Sequence, residues 1–423
     1  MSPPAAEPGS SLRLYRWNDR KILGAGLAAL AGGFGQFGAV AALGDVAKAF
    51  GQVTHGATIA QEAGLSGTTL GIGLAVIRLA SLGGLPVAGL ADRFGRRRVL
   101  LISLGGGLAL TALAAASQGY WWFVAIFALG RPMLSGADAV SQVYAGEQTG
   151  PDDRTKAIAL IAAGYGVGAG ITAILHSVAI GGLGFRGLFL LALAPLATVG
   201  LIRRWITEPD RFNAIANAEH PLPVVGAVGN RFRGRLAVIA GIAFALAVIT
   251  GPANSFVFLY ADDFVHQPGY LTALMVVGAG ASGLIGLILG RWLADRLGRR
   301  PTAALGMVGI TCFGIVAYSG STAGLFVGYI FGVLTGSMIA PAAGAMVNEL
   351  FPTAVRASVA GWWVAAGVLG ATVGLVVFGA VADVRNQFLL AATVTFLPAS
   401  AAAWMFWLLP ETRGLEPEQV AAS

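Results

Sequence analysis

The stretch Leu90-Ala91-Asp92-Arg93-Phe94-Gly95-Arg96-Arg97-Arg98 returns 203 positions later as Leu293-Ala294-Asp295-Arg296-Leu297-Gly298-Arg299-Arg300. Each copy is a cationic turn with one aspartate and one glycine, set between two apolar runs. Such a turn is too costly to bury in hydrocarbon, so both copies belong in water at a membrane face. Glu147 and Arg154 recur as Glu349 and Arg356, and Trp205 and Arg211 recur as Trp407 and Arg413, all shifted by 202. An ordered set of pairs at nearly one offset marks a duplicated unit of roughly 200 residues.

What these turns join is strongly apolar. Of 423 residues, 56% are hydrophobic and 11% charged, and mean hydropathy is +0.75. A soluble α/β domain needs a more charged surface and short turn-bounded strands, whereas here apolar runs reach the roughly 20 residues that a bilayer requires. The chain is therefore an integral membrane protein, and its 62 glycines suit close helix packing in lipid.

A net charge of +7 would point to nucleic acid in a soluble protein, but here position decides. Lys48, Arg186 and Arg385 fall in loops of one side and Arg78 and Arg131 fall inside spans. The remaining Lys and Arg lie on the other side, which is therefore expected to be cytoplasmic, with no nucleic-acid partner. The single Cys312 sits in an apolar run and leaves no intramolecular disulfide or cysteine-based metal cluster. Richness in Arg, Ala and Gly beside three lysines points to a bacterial inner membrane protein from a GC-rich genome.

Residues 1–20 are expected to form a cytoplasmic tail, because no cleavable apolar segment precedes Arg13, Arg16 and Arg20. Spans follow at about 22–50, 64–90, 99–117, 120–146, 156–182 and 186–207. A cytoplasmic linker at 208–235 carries Pro221, Pro223, Arg231, Arg233 and Arg235. Six more spans follow at about 236–261, 270–293, 301–319, 323–347, 354–382 and 386–408, then a tail at 409–423. The expected fold is an all-α membrane protein of twelve transmembrane helices in two pseudo-symmetric six-helix bundles, 21–207 and 236–408.

With this organisation the chain resembles a major facilitator superfamily transporter over nearly its whole length. Asp92-Arg93-Phe94-Gly95-Arg96-Arg97 is similar to that family's best-known loop motif, and Asp295-Arg296-Leu297-Gly298-Arg299-Arg300 repeats it. The glycine usual four residues before the aspartate is Ala88 in the first copy and Arg291 in the second, with Gly89 and Gly290 adjacent. Asn348-Glu349-Leu350-Phe351-Pro352-Thr353-Ala354-Val355-Arg356 is similar to the loop between spans 10 and 11 of sugar porters and metabolite:proton symporters. Pro410-Glu411-Thr412-Arg413-Gly414 resembles what they carry after span 12, whereas Glu208-Pro209-Asp210-Arg211 after span 6 inverts the order of proline and glutamate. The resemblance implies alternating access, with one bundle rocking against the other about a central site lined by helices 1, 4, 7 and 10.

Two sets of residues carry the functional expectation. The gating set at the cytoplasmic face is Asp92, Arg96, Arg97, Glu147, Arg154 and Glu208 in the first half, with Asp295, Arg299, Arg300, Glu349, Arg356 and Glu411 in the second. Charged hydrogen bonds there can bias two conformations without touching substrate, the alternative being that these charges only fix topology. The pathway set starts from Arg131 and Asp138, seven apart and so on one face of helix 4. Intramembrane charges are costly and usually mark a pathway or a pair. Asp138 is the first candidate for proton uptake, against a static ion pair holding helices together.

Arg78, in span 2 with no acidic neighbour on its own helix, needs a partner in space, either Asp138 or an anionic substrate. Gln36, Gln142, Tyr144, Asn254, Tyr260 and Asn348 are further polar candidates, although an amide in a span more often bonds another helix. His176 reads as a structural histidine.

Negative signals narrow the class. Aromatic-acid symporters carry paired aspartates in helix 1, where this chain reads Gly32-Gly33-Phe34-Gly35-Gln36-Phe37-Gly38, and Asp45 lies further out. No proline follows Gly164, Gly166, Gly168 and Gly170, unlike the Gly-Pro step of drug antiporters, and no lysine follows Gly105-Gly106-Gly107, so ATP is not a direct fuel. The expectation is a monomeric secondary transporter, not an enzyme, that imports a small polar or anionic metabolite by proton symport. No metal or cofactor beyond the coupling proton is expected. The alternatives are proton-coupled efflux of drugs or hydrophobic metabolites, and a non-transporting receptor.

Overall fold

The computed structural model describes residues 19–54, 59–149, 151–179, 184–208, 232–351, 353–385 and 387–412. Twelve helices are long and apolar enough to cross a membrane. They are α1 (Arg20–Ala41), α2 (Gly67–Phe94), α3 (Arg96–Ala116), α4 (Tyr120–Gln148), α5 (Pro151–Ala179) and α6 (Gly184–Trp205) in the first half. The second half holds α7 (Arg233–Phe264), α8 (Gly269–Arg296), α9 (Arg299–Ala317), α10 (Thr322–Glu349), α11 (Thr353–Arg385) and α12 (Phe388–Leu408). No strand occurs among the described residues. Trp122, Leu129, Ile288, Trp404 and Leu408 stand exposed around the outside, an apolar surface suited to lipid and not to water.

The first span differs from its expected extent. Instead of running through 22–50, the helix ends at Ala41, and Ala42 (φ −96°, ψ 20°) turns the chain into a separate short helix, Leu43–Phe50. That helix carries Asp45 and Lys48, whose charges find partners on α5 and α7. The expected linker at 208–235 falls mostly outside the described residues, and α7 begins at Arg233.

Local chemistry explains the helix starts. Asp19 accepts from the Lys21 amide (2.9 Å) at α1, Ser66 from Thr69 (3.1 Å) at α2, and Ser321 from Gly324 (3.0 Å) at α10. Both arginine turns pass through a glycine at positive φ, Gly95 (+94°) and Gly298 (+109°). A side chain there would be strained, and its Cβ would also press on a glutamate, Glu208 or Glu411.

Across the halves, α2 packs on α11 and α5 on α8. The contact is tightest at the end of the molecule away from the arginine turns. There Asp383 of α11 accepts from the amides of Gly67 (2.7 Å) and Thr68 (2.7 Å) and from Thr68 Oγ1 (2.5 Å), so an acid of one half caps a helix of the other. The Lys48–Asp263 ion pair joins the halves at the same end, with the Asp263 side chain 1% exposed.

Candidate functional site: a dicationic chamber between the halves

Between the bundles lies a cavity of about 250 Å3, lined by Gln36, Arg78, Arg131 and Tyr165 from the first half and by Thr250, Asn254 and Ser255 from the second. Among the described residues no carboxylate lines it. Arg78 ends a helical stretch of α2 just before the 3-10 turn Ser81–Gly83, where Ser81 Oγ donates to its carbonyl (2.6 Å). Among the described residues its guanidinium makes no hydrogen bond or ion pair, and its Nε is buried without a partner. Arg131 donates Nη1 to the Gln36 carbonyl (3.2 Å) and also leaves Nε buried and unpartnered. Two arginines with spare donors facing one space, without an acid on its wall, form a site for an anion.

Arg131 and Asp138 do share a face of α4, yet no ion pair joins them. Asp138 instead accepts from Gln142 Nε2 (3.2 Å) one turn along, and its Oδ1 is buried without a partner. Among the described residues Asp138 therefore makes no ion pair that would hold helices together, and none with Arg131 or Arg78. Asn254 lines the chamber while donating to the Thr250 carbonyl (2.9 Å).

Four expected pathway residues lie outside the lining: Asp138 and Gln142, bonded to each other on α4, and the tyrosines Tyr144 and Tyr260. Tyr144 is fully buried and its hydroxyl accepts from the Thr207 amide (3.3 Å), which ties α4 to the end of α6. The Tyr260 hydroxyl accepts from the Gly320 amide (2.7 Å), and its ring packs on Tyr318 and Phe388. Both are cross-helix hydrogen bonds of the kind that polar groups make in lipid, not chamber contacts. The side chain of Asn348 lies outside the described residues.

The gating set forms two matched networks. Glu208 accepts from the amides of Arg96 (2.5 Å) and Arg97 (3.2 Å), and Glu411 from those of Arg299 (3.0 Å) and Arg300 (3.2 Å). Arg96 pairs with Glu147 (3.1 Å) and Asp92 (2.8 Å), and Arg299 with Glu349 (2.6 Å). Asp295 makes no ion pair matching that of Asp92 among the described residues. The side chains of Arg154 and Arg356 lie outside the described ones. Each of these bonds closes within one half.

Sequence reasoning missed the contacts at the opposite end. Besides Asp383 and the Lys48–Asp263 pair, His176 Nε2 lies 3.0 Å from Asp45 Oδ2. Burial draws the Lys48 ammonium down, but the hydrogen bond and charge of Asp263, helped by Asp45 and Asp262, leave it above its usual 10.5. The available signal was position: these acids stand at span ends away from the arginine-rich loops, where topology does not call for charge. Tyr165, Thr250 and Ser255 of the chamber carried no such signal.

The family model of the Major Facilitator Superfamily matches residues 25–292 and 268–422, and the chain belongs to that superfamily. It is 25% identical to a probable 4-methylmuconolactone transporter of Cupriavidus pinatubonensis, over 84% of this chain and 85% of that protein. It is 27% identical to a cis,cis-muconate transport protein of Acinetobacter baylyi, over 76% and 79% respectively. Among solved structures it is similar to the inward-open xylose transporter XylE from E. coli, with a TM-score of 0.71 at 18% identity, covering 95% of this chain and 98% of that one.

Proposed function

We propose that this protein imports a small carboxylate across the cytoplasmic membrane by alternating access and proton symport, acting as a monomer with both termini in the cytoplasm. The observation that carries the reading is the chamber wall: Arg78 and Arg131 face it with unused donors and no lining acid offsets them. Such a site attracts a carboxylate and repels the lipophilic cations that a drug exporter would take. The names of the muconolactone and muconate relatives agree with an organic acid as cargo.

With the arginine-rich end in the cytoplasm by charge bias, the seams at Asp383 and Lys48–Asp263 close the outer end, so this conformation faces inward. Asp138 is assigned the proton. Its Oδ1 is buried without a partner, on the same helix face as the anion-binding Arg131, so substrate and proton sites move together. The two glutamate–arginine networks brace each half here and meet as a latch when the cytoplasmic ends close.

The test is flux. Protein reconstituted in liposomes is given a pH gradient, alkaline inside, and a panel of labelled carboxylates, sugars and lipophilic cations. Accumulation of a carboxylate that collapses with the gradient is the expected result. Sugar uptake without carboxylate uptake, or expulsion of cations, overturns the reading.

A further inference from the structure

The anion chamber does not end at its charged wall. A second cavity of about 270 Å3 opens inside the second half and shares Thr250 and Asn254 with the first, so the two adjoin at these residues of α7. Its wall is mainly apolar and aromatic, with Ile310, Tyr318, Tyr329 and Val333 around Gly332 and Gly336, and its polar members are Thr250, Asn254 and Ser337. The Tyr318 hydroxyl is turned away to the carbonyls of Pro252 (3.3 Å) and Ala253 (3.4 Å).

The duplication shows how the two halves differ at this place. At the offset of 202, Gly336 stands where the first half has Leu134. Leu134 is 1% exposed and its side chain lies against Gly35 and Gly107, filling the corresponding gap between α1, α3 and α4. At the same offset Val333 stands where the first half has Arg131. The exchange of leucine for glycine empties the volume, and that of arginine for valine removes the charge.

We infer that the second-half cavity is the subsite for an apolar body attached to the carboxylate, and that the space over Gly332 sets how large a body is accepted. This rests on the anion reading of Arg78 and Arg131 and extends it to a substrate class. The cargo is an amphipathic monocarboxylate, its acid on the first half and an aryl or alkyl body in the second. Polyhydroxylated acids fit less well, because Ile310, Val333 and the turned-away Tyr318 hydroxyl offer buried hydroxyls no partner and the polar members of the wall are few.

Gly332 gives a clean handle. A Cβ there would meet Phe313 Cβ at 3.8 Å and the Gly314 backbone nitrogen at 3.9 Å, both ordinary van der Waals contacts, so this lining position accepts a side chain. Purified full-length protein in lipid nanodiscs is titrated calorimetrically with acetate, 3-phenylpropionate and gluconate. Native protein should bind 3-phenylpropionate at least tenfold more tightly than either other acid, on the order expected for burying an aromatic ring. Gly332→Leu should weaken 3-phenylpropionate about tenfold or more and leave acetate within about threefold. Retained acetate binding also shows that the variant is folded. Gly336→Leu, which restores the leucine of the first half and whose Cβ would displace the end of the Ile310 side chain (Cδ1 at 2.7 Å, Cγ1 at 3.6 Å), should act the same way.

If Gly332→Leu and Gly336→Leu leave 3-phenylpropionate unchanged, or gluconate equals 3-phenylpropionate in the native protein, the apolar subsite is wrong. In that case Arg131→Gln still abolishes carboxylate binding and the anion site stands. If no carboxylate binds the native protein at all, the anion reading falls and takes the subsite with it.

Discussion

The two halves keep one network and diverge in their middles. At the arginine turns, Gly95 and Gly298, Glu147 and Glu349, and Glu208 and Glu411 make corresponding interactions. In the middle of the spans the same offsets set Arg131 against Val333, Asp138 against Ala340, Gln142 against Gly344 and Arg78 against Ala281, and of these first-half residues Arg78 and Arg131 line the chamber. The difference follows from what each place must satisfy. Every half needs its third helix started and its arginines held in water, whereas the single carboxylate of the proposed function needs a single cationic wall. A second such wall would leave uncompensated charge in a low-dielectric interior.

This contrast is broken most sharply at its charged member. Arg131→Gln should lower carboxylate uptake about 100-fold or more, since charge-assisted bonds to a desolvated anion are lost, while Val333→Ala changes it less than about threefold. Comparable losses in the two variants would mean that the halves share the anion. Next in size, Asp138→Asn should reduce gradient-driven accumulation at least about tenfold, yet spare exchange of internal for external substrate. Full accumulation in that variant would remove Asp138 as the proton carrier.

The seams between halves are also unequal. Asp383 caps α2 across one seam, whereas the symmetry-related contact of α5 with α8 brings Gly269 against the Ser177 carbonyl without a charge. Asp383→Asn should therefore shift the population toward the outward-facing state by about tenfold, read from spin-label distances across α2 and α11. An unchanged distance distribution would demote that contact to packing. Glu147→Gln and Glu349→Gln should shift the population the other way, by a smaller and mutually similar amount of about threefold, because their networks match. A large difference between the two would end the claim of symmetry at this face.

The smallest effect is one of pH. The Lys48 pKa is raised in the folded protein, so the stabilisation from its pair with Asp263 is complete below the unfolded value of 10.5. It is lost only as pH rises through the higher folded value. Between pH 7 and 10 the difference in outward population between native protein and Lys48→Gln should stay constant. A decline within that window would show Lys48 titrating early.

Sequence alone carried the regular features because each has a local cause. The spans follow from apolar runs as long as the bilayer is thick, and the arginine turns and glutamates from their recurrence at one offset. Arg78 and Arg131 stood out because a charge inside hydrocarbon is too costly to be incidental. Tyr144 and Tyr260 misled because polarity in a span does not tell a cross-helix hydrogen bond from a chamber wall. The break at Ala42 was hidden by an unbroken run of helix-compatible residues, and only the partners of Asp45 and Lys48 account for it.

Composition and repetition thus determined a duplicated twelve-helix membrane protein, its cationic face and its costly buried charges, since hydration energy is read residue by residue. Which of those charges lack partners, that Arg78 and Arg131 face one space, that Asp383 reaches a helix 315 residues away, and that Gly336 leaves a cavity where Leu134 fills one were decided by tertiary packing. Such relations depend on distances between segments remote in the chain, and an apolar helix carries no local mark of what it will be packed against.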